Sequence, residues 1–225
     1  EGKREGKTAL IPYITAGFPN LEASKKIVRM LADEGCDIIE IGIPYSDPLA
    51  DGPTIQRASS TALVQGANTN QIFEMVADLR KYLETPLVLM TYYNTIYRYG
   101  IREFAQKAAS AGIDGVIAPD LSVEEAASWQ NAARENSIDA IFLLAPTSSD
   151  ERINKIISHS EGFIYCVSLT GVTGARGSLP PHLSQFIAQV RDRSPIHLLV
   201  GFGISTPEQA QEVGKIADGL IIGSS

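Results

Sequence analysis

Asp37-Ile38-Ile39-Glu40-Ile41-Gly42-Ile43-Pro44-Tyr45-Ser46-Asp47-Pro48-Leu49-Ala50-Asp51-Gly52-Pro53 is the stretch on which the fold turns. Its first half is a continuous apolar run with a single carboxylate in it, which reads as a strand buried on both faces, the mark of a parallel sheet. Counting by two places Ile38, Glu40 and Gly42 on one face and Ile39, Ile41 and Ile43 on the other. Glu40 therefore sits on an apolar face. A buried, unpaired carboxylate is so costly that it neutralises, finds a partner or serves chemistry. From the strand alone, a structural glutamate bonded to a neighbouring strand or a buried arginine is an equally good reading. The loop that follows shifts the balance. Residues 44–53 hold three prolines, two aspartates, a serine and a glycine, a rigid polar segment at the carboxyl end of the strand. In parallel α/β sheets and barrels that end carries the active site.

Outward from this stretch, short apolar runs recur at residues 8–15, 37–43, 86–92, 112–118, 138–144, 163–168, 196–200 and 217–222. Amphipathic patterns lie between them, among them 21–34, 101–111, 123–136, 150–158 and 207–215. The long gap after the second run predicts two helices, over 54–64 and over roughly 71–83. Strict strand-helix alternation means a parallel sheet. Three phrases repeat one unit of helix end, tight turn and inner strand: Gly35-Cys36-Asp37-Ile38-Ile39, Gly112-Ile113-Asp114-Gly115-Val116-Ile117 and Ile216-Ala217-Asp218-Gly219-Leu220-Ile221. Eight such strands close into a (β/α)8 TIM barrel, with an open doubly wound sheet as the runner-up. The 225 residues fit one domain spanning 1–225. No helical pattern follows the eighth run, so the terminal helices are expected to be incomplete.

A hydrophobic content of 44% is ample for a core, and a net charge of -7 argues against nucleic acid or an anionic membrane as partner. No apolar run is long enough to span a bilayer. Cys36 and Cys166 have no paired spacing and read as reduced core thiols of a cytosolic protein. His159, His182 and His197 are scattered, and no His or Cys pair has metal-ligand spacing.

Gly201-Phe202-Gly203-Ile204-Ser205 follows the seventh run and Gly223-Ser224-Ser225 the eighth. Either cluster alone is more often a turn. Together, at the two places where barrels hold phosphate, they favour a phosphorylated substrate. A third glycine-rich segment, residues 169–181, has the length and small side chains of a lid, and the Thr173 hydroxyl within it could dock onto a carboxylate on closure. The alternative is an ordinary surface loop. No lysine ends a strand, so a Schiff base has no candidate. General acid-base chemistry remains, with Glu40, Asp51, Tyr92, Asp120 and Tyr165 as candidates. Asp120 could equally cap a following helix through Leu121-Ser122, and Tyr165 could be core.

The run from Ile39 to Pro53 closely resembles the signature of the tryptophan synthase alpha subunit family. Pro12-Tyr13-Ile14-Thr15-Ala16-Gly17, Ala118-Pro119-Asp120-Leu121, Gly171-Val172-Thr173-Gly174 and Gly201-Phe202-Gly203-Ile204 extend the match in order over nearly the whole chain. The resemblance implies retro-aldol cleavage of indole-3-glycerol phosphate to indole and glyceraldehyde 3-phosphate in tryptophan biosynthesis, with no cofactor on this chain. It implies a beta subunit as partner in an alpha2-beta2 heterotetramer, with pyridoxal phosphate on that partner. By position, Glu40 matches the acid-base residue, Asp51 the carboxylate that accepts the indole N–H, and Tyr165 a pocket wall near Glu40. Phe202, Gly203, Gly174, Gly223 and Ser224 match phosphate-contacting positions, and Thr173 the lid residue that meets Asp51. Family members begin with a helix under the barrel floor and end with one over the eighth strand, and this chain has neither in full. The location it implies is cytoplasmic, or plastid for a plant source. A stand-alone lyase without a beta partner, a non-catalytic activating subunit and another phosphosugar barrel enzyme such as an isomerase stay as alternatives.

Overall fold

The computed structural model describes residues 7–167, 182–201 and 203–223. In chain order the elements are β1 (Ala9–Thr15), α1 (Leu21–Asp33), β2 (Ile39–Gly42), α2 (Pro53–Val64), α3 (Thr69–Arg80), β3 (Leu87–Met90), α4 (Tyr93–Tyr99), α5 (Ile101–Ala111) and β4 (Gly115–Ile117). Then follow α6 (Ala127–Glu135), β5 (Asp139–Ile141), β6 (Leu143–Leu144), α7 (Asp150–His159), β7 (Phe163–Val167), α8 (Leu183–Arg191), β8 (His197–Gly201), α9 (Pro207–Gly214) and β9 (Gly219–Ile222). All pairings are parallel, in the order β5-β4-β3-β2-β1-β9-β8-β7-β6.

The two ends of that order, β5 and β6, are consecutive in the chain and separated only by Phe142, whose carbonyl accepts the Tyr165 N–H at 3.1 Å. They are one stave interrupted by a single residue, so the sheet closes into an eight-stave barrel and the open-sheet alternative falls. The expected continuous strand over 138–144 is corrected to two pieces. Its first half pairs with β4 and its second half with β7, and Phe142 lies where the stave changes neighbour.

Alternation along the staves builds two cores. Inward side chains such as Ile11, Val88, Ile117, Phe163, Leu199 and Ile221 fill the barrel. Outward ones such as Ile39, Ile41, Leu87, Leu89 and Val116 pack under the helices. Both layers are buried, which accounts for staves that are apolar on both faces. Seven-residue α4 and the helix α8 were not singled out in the sequence. α6 begins at Ala127 rather than 123, and β4 begins at Gly115 rather than 112, because Gly112 caps α5 in the left-handed region at φ 90°.

The three repeated phrases share a physical job at the barrel floor. In each, an aspartate just before one strand grips the first turn of its neighbour from both sides. The Asp37 N–H donates to the Leu10 carbonyl (3.1 Å) while its carboxylate accepts the Leu10 N–H (2.9 Å). Asp114 does the same to Leu87 (3.0 and 2.7 Å), and Asp218 to Leu198 (both 2.9 Å). Arginines at the ends of α3 and α8 clamp two of these carboxylates. Arg80 pairs with Asp114 and donates to the Gly112 carbonyl (2.6 Å), and Arg191 pairs with Asp218 and donates to the Ile216 carbonyl (3.2 Å). Asp114→Ala therefore strands the Leu87 N–H and unpairs Arg80, and is expected to lower unfolding stability by about 1–3 kcal/mol. A urea melt checks this, and an unshifted midpoint would show the staple to be idle.

Candidate active site

A cleft opens at the carboxyl ends of the staves. Its floor is the inner core and its walls carry Tyr13, Glu40, Asp51, Tyr165, Gly203 and Gly223. The described lining contains no lysine, histidine or cysteine. Among the described residues no cluster of three His, Cys, Asp or Glu side chains could hold a metal ion.

Glu40 is the second residue of β2 and points into the barrel, in register with Tyr13 on one side and Val88 on the other. It is 1% exposed, its Oε2 has no hydrogen-bond partner in the described structure, and no cation there pairs with it. Burial first, and the nearby Asp51 charge second, push its carboxyl up to about 8. Of the structural alternatives, the pairing with a buried arginine is absent among the described residues, and no bond to a neighbouring strand satisfies Oε2. What remains is an acid poised near neutrality, able to give or take a proton.

Asp51 reaches the cleft through the loop after β2, and that loop is held on β3's side by aromatic packing. Tyr45 stacks on Tyr92 with ring centroids 4.9 Å apart, and the Asn94 amide donates to the Tyr45 hydroxyl at 3.0 Å. The Tyr92 hydroxyl accepts the Ala50 N–H at 2.8 Å and donates to Asp51 Oδ2 at 3.2 Å. Gln56 donates to the Asp51 carbonyl at 2.8 Å, fixing the entry into α2, where Gly52 is the N-cap and Pro53 the first residue. Asp51 is 9% exposed, and its pKa is raised by burial, with the Tyr92 hydrogen bond opposing.

Two tyrosines complete the wall by the same device. Tyr165 on β7 leans over Gly201 of β8, and Tyr13 on β1 leans over Gly42 of β2; a Cβ on either glycine would overlap the phenol. The glycines are there because the rings occupy their side-chain space. Burial and the charges of Glu40, Tyr13 and Asp51 hold the Tyr165 phenol well above its ordinary range. Tyr13 was missed in the sequence as a site residue. Its register with Glu40 was the available signal, but that needs the β1-β2 pairing to be known.

Tyr92 and Asp120, expected to touch substrate, do not line the cleft. The Tyr92 hydroxyl is bonded to the Asp51 carboxylate instead. Asp120 accepts the Tyr93 N–H at 2.8 Å and so caps α4, not the helix after it in sequence. Of the expected phosphate positions, Gly203 (φ 80°) and Gly223 line the cleft. The start of α9 is occupied by its own capping box: Gln209 Oε1 accepts the Thr206 N–H (3.3 Å) and Thr206 Oγ1 accepts the Gln209 N–H (3.3 Å), and Gln209 Oε1 also accepts the Ser205 N–H (2.8 Å). Amides for an anion are thus to be sought at Gly203 and Gly223, not at that helix start. Thr173, Gly174, Phe202 and Ser224, and with them the lid, lie outside the described residues.

Against known proteins, the sequence profile described as "Tryptophan synthase alpha chain" matches residues 1–225. The chain is 52% identical to a tryptophan synthase alpha chain from Dehalococcoides mccartyi over 218 residues, 97% of this chain and 86% of that one. It is 46% identical to one from Geobacter sulfurreducens, covering 100% of this chain and 85% of the relative. Among solved structures it superposes on Mycobacterium tuberculosis tryptophan synthase with a TM-score of 0.91 at 41% identity, over 97% of this chain and 84% of that one. On the tryptophan synthase complex of Pyrococcus furiosus the TM-score is 0.90 at 38% identity, over 97% and 88% of the two chains.

Proposed function

The chain belongs to the tryptophan synthase alpha chain family, and from that premise we infer that it is the lyase that cleaves indole-3-glycerol phosphate to indole and glyceraldehyde 3-phosphate. The observation that carries this reading is Glu40, a buried carboxyl pushed up to about 8, lining one cleft together with Asp51, Gly203 and Gly223.

The chemistry needs two proton movements at neighbouring atoms. A proton is added to indole carbon three, making that ring position tetrahedral and the ring nitrogen cationic. The proton of the hydroxyl on the adjoining chain carbon is then removed, the carbon-carbon bond breaks, its electrons return to the ring, and the chain carbon becomes the aldehyde. Atoms and charge balance with one group giving a proton and taking one back. Glu40 is suited to both halves, because an acid whose pKa lies near the working pH can serve in either state. Asp51 accepts the indole N–H and stabilises the positive charge that develops there, an interaction stronger in the transition state than in the ground state. Tyr165 packs the ring side of the cleft and excludes water. Tyr92 holds Asp51 in place without touching substrate, and the amides near Gly203 and Gly223 bind the phosphate.

No cofactor belongs to this chain; pyridoxal phosphate sits on the beta subunit, which takes up the indole, and the assembly is alpha2-beta2. The compartment is the cytoplasm, in keeping with bacterial relatives and two unpaired cysteines. No helix among the described residues is long and apolar enough to cross a membrane. Indole release from indole-3-glycerol phosphate, measured with and without an added beta subunit, tests the reading. Release that the beta subunit accelerates is expected; no release under either condition overturns it.

A further inference from the structure

Tyr13 is a cleft residue to which the reading above gives no task. It stands on β1, between β9 and β2, and its side chain bridges the two. Near its base, a Cβ on Gly223 would lie 3.5 Å from the Tyr13 Cβ and 3.4 Å from its Cδ1. At the other end its hydroxyl lies on Gly42, on the strand that carries Glu40. The phenol thus runs from the expected phosphate rim toward the acid-base residue, beneath the path of a three-carbon chain stretched between them. The hydroxyl has one described partner, Thr15, whose Oγ1 donates to it at 3.4 Å. Beyond that hydroxyl, no carboxylate or carbonyl among the described residues accepts its proton. Burial and the charges of Asp51 and Glu40 keep that proton in place well above the ordinary phenol range.

We propose that Tyr13 is a specificity-determining residue of the cleavage reaction, its O–H donating a hydrogen bond to the hydroxyl on the middle carbon of the substrate's glycerol chain. The inference rests on the lyase reading. The end carbons of the chain are already assigned, one to Glu40 and the ring, the other to the phosphate amides. Only the middle carbon lies over the tyrosine between β2 and β9. Its hydroxyl does not react, so the bond serves to hold the chain with the reacting hydroxyl toward Glu40 and to reject chains that lack it.

The test is a cycle of kcat/KM values on the chain in complex with a beta subunit. It compares wild type with Tyr13→Phe, on indole-3-glycerol phosphate and on its analogue lacking only the middle hydroxyl. Both substrates keep the reacting hydroxyl, so both can be cleaved. Wild type is expected to lose about tenfold on the deoxy substrate, and Tyr13→Phe to lose about tenfold on the full substrate with no further loss on the deoxy one. A Phe variant within twofold of wild type on the full substrate overturns the proposal. So does an equal loss on both substrates, which is the signature of a packing role. Failure of the parent reading looks different: wild type then releases no indole from the full substrate.

Discussion

Replacing Glu40 with glutamine is expected to lower indole release on the order of a thousandfold or more while leaving the barrel folded. Glutamine keeps the volume and the inward direction of the side chain, so the cleft walls stay where they are. It can neither deliver a proton to the indole ring nor receive one from the chain hydroxyl. Both proton transfers fall on the same group, so one substitution removes both. The neighbouring groups offer no replacement. Asp51 is tied to Tyr92, and burial keeps the Tyr13 and Tyr165 phenols protonated, so neither can take up a proton near neutrality. Steady-state kinetics on the purified variant, with circular dichroism to confirm folding, checks this. Turnover near that of wild type would remove Glu40 from the chemistry.

The same substitution is expected to stabilise the fold at alkaline pH. The Glu40 pKa rises from an ordinary 4.5 to about 8 on folding. Between those values the unfolded chain has released the proton and the folded chain still holds it, so the folded state binds more protons and its stability falls as pH rises. The contribution is fully present below about pH 4.5 and lost by the time pH passes about 8. At about 1.4 kcal/mol per pH unit, the loss across this window is of the order of several kcal/mol. Glutamine stays neutral throughout and does not share the loss. Wild type and Glu40→Gln should therefore unfold at similar denaturant concentrations near pH 5, with the variant clearly more resistant near pH 9. Parallel pH profiles for the two proteins would contradict a buried, proton-holding glutamate. Activity and stability are thus opposed at this one side chain, as expected where a site keeps a group that the core would reject.

Much of this was visible in the sequence because it depends on local alternation. Glu40 had to share a face with Ile38 and Gly42, and a stave buried on both faces left it nowhere wet to go. Asp51 followed from a proline-rich loop at the right end of the strand. The parts that were not visible depend on contacts between distant segments. Asp120 looked like a site residue because it follows a strand, yet it caps α4, a helix in another part of the chain. α4 itself was hidden, because a seven-residue segment with three tyrosines has little intrinsic helix preference and its cap is supplied from outside. Tyr92 was singled out because it follows a strand, and only the folded loop shows its hydroxyl bonded to Asp51. Tyr13 read as one more residue of an apolar strand until its register with Glu40 and its seat on Gly42 were known.

The central claim is that folding itself turns Glu40 from an ordinary carboxylate into a proton carrier that works near neutral pH. It is tested most directly by titrating that one carboxyl in the intact protein, following the side-chain carbonyl carbon of labelled glutamate by NMR and assigning the resonance by its absence in Glu40→Gln. A midpoint near 8 is expected. A midpoint near 4.5, with Glu40 ionised throughout the neutral range, would contradict the account.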